Sequence, residues 1–222
     1  MNYEIVRSKR KTLAMTVDKN GRVIVRAPLK YPIEEIERFV SSKSEWLEKH
    51  TSAANDRNSE RIRRLSAPPE ALPFLGELVP VVNEQPYGYS DGCFRLPGDR
   101  SLESLIPYLR KLYMNIAKDT LAKRTALLAD RMNIRINAVK INSAKTRWGS
   151  CSAQKNINLS WKLIAADSKL IDYVIVHELC HTMHMNHSPS FWAEVERYIP
   201  DYIERREALK DVQQQLSEYG LE

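Results

Sequence analysis

The sequence predicts an α+β fold. Three observations carry it. Two strand-like runs near the N-terminus flank an Asn-Gly pair. A long stretch of helical periodicity occupies the middle of the chain. In the second half, short strand-like runs give way to helices that continue to the end.

The elements follow in order. Residues 12–17 and 22–27 read as strands around Lys19-Asn20-Gly21, a turn in which Asn-Gly tolerates positive φ. Pro32 then starts a helix, with Glu34 and Glu35 in its first turn and Ile33, Ile36, Val40 and Leu47 forming one apolar stripe. Residues 51–60 turn polar and read as a linker or an exposed helix extension. Residues 74–82 and 93–96 suggest two further strands joined by a Pro/Gly/Tyr-rich turn. Residues 101–132 form one long helix, with Pro107 in its first turns or kinking it. Residues 138–141 and 156–160 read as strands flanking a loop. A buried helix follows, N-capped by Asp167 or Ser168 and ending near Asn186. Ser188-Pro189 opens another helix, and a charged helix over about 202–218 closes the chain. The expected organisation is a hairpin-helix subdomain over 1–50, a polar linker over 51–70 and a catalytic domain over 71–222.

Composition narrows the function classes. The 222 residues suffice for one sizeable core or a core plus a small subdomain. No apolar run approaches the ~20 residues needed to cross a bilayer, so no membrane association is expected. The first residues lack a signal-peptide core. Three cysteines are too few and too odd for a disulfide framework. Together these point to a cytoplasmic protein. The net charge is +6, with basic clusters at Arg7-Ser8-Lys9-Arg10-Lys11 and Arg61-Ile62-Arg63-Arg64. These read as solvated surface segments, or as sites attracting nucleic acid; no nucleic-acid motif accompanies them. The sequence carries no signal for an oligomeric state.

The chemistry concentrates in one run. Four of the five histidines lie in His177-Glu178-Leu179-Cys180-His181-Thr182-Met183-His184-Met185-Asn186-His187. It opens with His-Glu-x-x-His. On a helix, positions i and i+4 share a face, so His177 and His181 can present imidazoles to one ion. A third ligand is required. His184 would lie ~10 Å along the axis from His177, too far for one ion with bonds of about 2 Å. His187 follows the expected break at Asn186 and can swing back. Its spacing from His181 equals that of the third histidine in metzincin proteases. Those proteases also need a glycine where His184 stands and a later Met-turn, and no methionine follows Met185. The expected site is therefore one zinc ion on His177, His181 and His187, with water in the fourth position. Zinc lowers the pKa of such water to ~7, and Glu178 is placed to accept its proton. Cys180 points about 100° away from His181 and reads as a small core residue.

A second segment, Thr146-Arg147-Trp148-Gly149-Ser150-Cys151-Ser152, precedes Ile157-Asn158-Leu159-Ser160-Trp161-Lys162-Leu163-Ile164. With the histidine run and Asn186-His187-Ser188-Pro189-Ser190-Phe191-Trp192, it resembles the YgjP-like metal-dependent hydrolases, zincins related to SprT-like proteases. The resemblance covers nearly the whole chain and is densest over 145–206. It implies a zincin-like core, with a small mixed sheet, an active-site helix and a cleft along an edge strand. It implies the same zinc ligands, with Glu178 catalytic, and a cleft wall made by 156–160 or by 147–152. Phe191 and Trp192 are expected to clamp the third ligand. Arg147 is the candidate for an oxyanion or for a substrate carboxylate or phosphate; the competing reading stacks it on Trp148 or Trp161.

The leading expectation is a zinc metallopeptidase acting on a peptide or protein. The alternatives are a metal-dependent nucleotide pyrophosphatase or phosphoester hydrolase, and a nucleic-acid-associated protein-processing factor. Arg147, Lys145 and Lys162 are the nearest basic residues for gripping phosphate, and the 7 glycines form no Walker-type loop.

Overall fold

The computed structural model describes residues 2–18 and 20–222. It separates into two compact units, Met1–Arg63 and Arg64–Glu222. In the first, β1 (Tyr3–Ser8), β2 (Ala14–Val17) and β3 (Val23–Pro28) form a sheet in the order β1-β3-β2. The expected hairpin is the antiparallel pair β2–β3; its turn residue Lys19 lies outside the described residues. Gly21 sits at φ +77°, and a Cβ there would meet Oδ1 of Asn55 at 2.2 Å. β1, absent from the expectation, pairs parallel with β3. Its buried alternation is weak, so period-2 patterning does not announce it. Val23, Val25 and Ala27 on one face of β3 pack with Ile36, Val40 and Leu47.

The helix begun at Pro32 is two helices, α1 (Ile33–Ser41) and α2 (Ser44–Ser66), with a break at Ser42-Lys43. The stripe Ile36, Val40, Leu47 is buried across that break, while Ile33 is exposed. The polar residues from Thr51 to Ser66 are the exposed helical extension, not an irregular linker. Arg7 does not belong to an open basic patch: its guanidinium donates to the carbonyls of Pro28, Leu29 and Tyr31.

The second unit begins with four strands where two were expected: β4 (Ala71–Phe74), β5 (Glu77–Val82), β6 (Gly88–Ser90) and β7 (Cys93–Arg95), in the order β4-β5-β7-β6. The first expected strand folds back at Leu75-Gly76, both at positive φ. α3 (Leu102–Arg131) is N-capped by Ser101 and keeps Pro107 near its start. Buried Phe74, Phe94, Tyr113 and Trp161 make an aromatic cluster at its centre. The Tyr113 hydroxyl donates to the Pro73 carbonyl at 2.8 Å.

The third sheet positions the site. β8 (Ala138–Asn142), β9 (Gly149–Cys151) and β10 (Asn156–Ser160) lie in the order β8-β10-β9, with β10 parallel to β8 and antiparallel to β9. A 3-10 turn, Trp161–Ala165, leads to α4 (Ser168–Cys180), α5 (Pro189–Tyr198) and α6 (Tyr202–Glu218). Asp167 caps α4 and Ser188 caps α5. α4 is apolar nearly all round, which is the pattern of a helix buried on all sides. Arg124 on α3 makes a bidentate pair with Asp172 on α4, both bonds 2.6 Å. Among the described residues no helix is long and apolar enough to cross a membrane.

Candidate active site

α4 delivers the first part of the site. It ends at Cys180, with His181 as its C-cap, rather than near Asn186. Two turn bonds, from the amides of Met183 and His184 to the Cys180 carbonyl, break the helix direction there. The earlier break lets the chain curl back within six residues. His187 Nε2 lies 3.1 Å from His177 Nε2. His177, His181 and His187 each offer a ligand atom, all within 4.8 Å of one another.

Phe191 explains why the three rings hold together. Fully buried on the first turn of α5, it stacks on His181 at 4.4 Å between centroids. It meets His177 at 4.9 Å and His187 at 4.8 Å edge-on. Trp192 stacks on His187 at 5.5 Å and on Tyr202 at 5.1 Å. α5 is therefore the clamp.

The donor set fits a metal ion. Two nitrogens each ~2.1 Å from one tetrahedral ion lie about 3.4 Å apart, near the His177–His187 separation. His181 Nδ1 is 2.9 Å from the His184 carbonyl, which fixes a proton on Nδ1 and leaves Nε2 a lone pair. Burial, then the neighbouring His181, His187 and Arg206, pushes the His177 pKa down to about 3. Burial also lowers that of His181. Neutral imidazole is the ligating form. His184 contributes its carbonyl, not its ring. Cys180 is fully buried and its thiol is pushed up to about 12 by burial, as suits a core residue.

Glu178 is buried at 5% exposure, and its Oε2 has no hydrogen-bond partner among the described residues. Burial raises its pKa to about 8, opposed by the charge of Arg147. The backbone of β9 presses against it: a Cβ on Gly149 would lie 2.6 Å from Glu178 Oε1. Gly149 thus sets where the carboxyl sits. The sequence motif contains this glycine, but only the packing of β9 on α4 reveals its role.

A cavity of about 490 Å³ opens beside these groups. Its lining includes Arg147, Trp148, Tyr173, His177, Glu178 and Arg206. Tyr173, one turn before His177, was not singled out by sequence, although i and i+4 share a face; burial holds its hydroxyl protonated, with a pKa pushed up to about 12. Arg147 is exposed, and no ion pair or ring stack holds it among the described residues. Trp161 instead packs on Tyr113. Lys162 is buried and its Nζ donates to the Lys145 carbonyl at 3.0 Å. It ties down the loop before Arg147 and does not face the cavity. Of the two expected cleft walls, Asn156–Ser160 is the central strand with both edges paired, so only β9 presents an open edge.

No curated protein sequence matches the chain significantly. The crystal structure of the metallopeptidase zymogen abylysin from Pyrococcus abyssi is similar over 43% of this chain and 94% of that one, at 24% identity and a TM-score of 0.38. The model of the YgjP-like family, described as a metallopeptidase domain, matches residues 11–212. That span covers most of the 222 residues, so the chain belongs to the YgjP-like metallopeptidase family and is a metallohydrolase.

Proposed function

We propose that the protein is a zinc-dependent peptidase in which His177, His181 and His187 hold the ion and Glu178 is the general base. The observation that carries this is the buried, unpartnered Oε2 of Glu178 beside three converging imidazoles. An all-nitrogen, three-ligand set that leaves a position open suits zinc. When bound there, the ion would acidify water and polarise the scissile carbonyl. Glu178 takes a proton from the attacking water at Oε2 and delivers it to the departing amine nitrogen. The carboxylate form serves the first transfer and the carboxylic acid so formed serves the second. Arg147 pairs with the carbonyl oxygen as it gains charge, a role supported by its position in the cavity lining beside Tyr173.

The substrate backbone lies along β9. Trp148 accepts from the Ser160 amide and the Ser152 amide donates to Asn156, so these residues face β10. By alternation, the N–H and C=O groups of Gly149 and Cys151 face the open edge and can pair with an extended peptide. A reading as a phosphoester or nucleotide hydrolase draws on the cationic lining of the same cavity. One experiment separates the two. Metal-loaded protein is given a denatured protein or a peptide library, and in parallel nucleoside triphosphates. Peptide cleavage lost in Glu178→Gln, with metal retained, supports the peptidase; Glu178-dependent release of pyrophosphate without peptide cleavage would replace it.

A further inference from the structure

Apart from Glu178, the charged residues that line the cavity beside the histidines are all basic. α6 sends Arg206 and Lys210, one turn apart, into the lining, and Arg147 joins them from the loop before β9. Glu178 is the only acidic residue in that lining among the described residues. Arg206 is held in place: its guanidinium lies over the Trp192 ring, 5.7 Å from the centroid. Trp192 in turn stacks on His187, so this cation stands one ring away from the three-histidine cluster. Its charge is felt inside, at His177 and at Tyr173. Glu207 pairs with Lys210 and approaches Arg206 Nε at 3.9 Å, yet it does not line the cavity. The inner side of the α6 cations therefore faces a space without an anion of the protein's own beyond Glu178.

We infer that Arg206 and Lys210 form an anion subsite that receives a carboxylate of the peptide substrate on the α6 side of the scissile bond. The inference rests on the peptidase reading and specifies its substrate class: peptides bearing an Asp or Glu side chain, or a chain-terminal carboxylate, next to the bond cut. A carboxylate fits better than a polyphosphate. A single carboxylate is satisfied by one guanidinium fork with a lysine beside it. A polyphosphate calls for a nest of backbone amides or a helix N-terminus. The lining supplies side chains in mid-helix on α6 instead.

The test uses binding as well as turnover. Metal-loaded Glu178→Gln is titrated with fluorescent peptides carrying Asp or Glu, their Asn or Gln counterparts, and C-terminally amidated versions. Removing the recognised carboxylate should weaken binding by about tenfold or more. Which version loses affinity identifies a side-chain or a terminal source. Adding Arg206→Glu should invert the preference toward Lys- or Arg-bearing peptides, and Lys210→Glu, on a more exposed side chain, should reduce it. In otherwise unaltered protein, Arg206→Gln should lower kcat/KM for acidic peptides more than for their neutral counterparts. Equal affinity for charged and amide peptides, or an unchanged ratio in both charge-reversal variants, overturns the subsite. So does Arg206-dependent binding confined to inorganic triphosphate. Charge-selective binding by a protein that cleaves no peptide would leave the subsite standing and remove the peptidase reading.

Discussion

Glu178 owes its chemistry to where it is buried, and that makes its contribution measurable in two ways. As the proposed base, its replacement by Gln should lower kcat/KM by about 10²–10⁴-fold while metal content stays the same. In metal-free protein the same substitution should act on stability. The folded-state pKa of about 8 lies above the ordinary 4.5, so the folded state keeps a proton that the unfolded state releases. Stability from that group is present at acid pH and is lost as pH rises from about 4.5 to 8. Gln is neutral throughout, so the stability advantage of Glu178→Gln over the unaltered protein should grow between pH 5 and pH 8. Thermal melts in chelator at the two pH values check it; a constant difference would contradict the buried carboxyl. Gly149 offers a third residue-scale test. Ala there fits its backbone but intrudes on Glu178, so kcat should fall, about 10²-fold for a displacement near 1 Å, with metal binding intact.

At the scale of elements, α5 and the α3–α4 contact hold the site. Phe191→Ala removes the surface on which all three imidazoles rest. It should cost about 3–5 kcal/mol and weaken metal affinity about 10–100-fold, as read by denaturation and by chelator competition. Asp172→Ala breaks the bidentate tie to Arg124 and should cost about 1–3 kcal/mol in the same denaturation assay. Most helices of the second unit were legible in sequence because their signals are local: Ser101, Asp167 and Ser188 cap them, and apolar periodicity runs through them. The histidines were legible for the same reason, since i and i+4 need no knowledge of the fold. What escaped depends on distant partners. β1 pairs across the chain with β3, the turn at Leu75-Gly76 is hidden inside an apolar run, and α4 stops at Cys180 through turn bonds its side chains do not announce. Likewise nothing local links Arg206 to the histidine cluster.

For the whole molecule, charge is distributed unevenly. Residues 1–30 contain eight Lys and Arg against Glu4 and Asp18, which equals the chain's net +6. Arg7 is consumed by three carbonyls, while Lys9, Lys11, Arg22 and Arg26 are exposed. Replacing those four with Gln should lower the salt needed to elute the protein from heparin. Replacing Lys111, Lys118, Lys140 and Lys169 should change it less. The second unit, Arg64–Glu222, is close to neutral by comparison, so a cationic cavity there reflects local placement and not bulk charge. We propose that this metallohydrolase cuts peptides with Glu178 beside a three-histidine zinc site. The most direct measurement is digestion of a peptide library by metal-loaded protein and by metal-loaded Glu178→Gln, with zinc counted per chain in both. One zinc per chain is expected in each, with cleavage of internal or near-terminal peptide bonds by the first and almost none by the second. Intact peptides with zinc bound, or equal cleavage by Glu178→Gln, would contradict it.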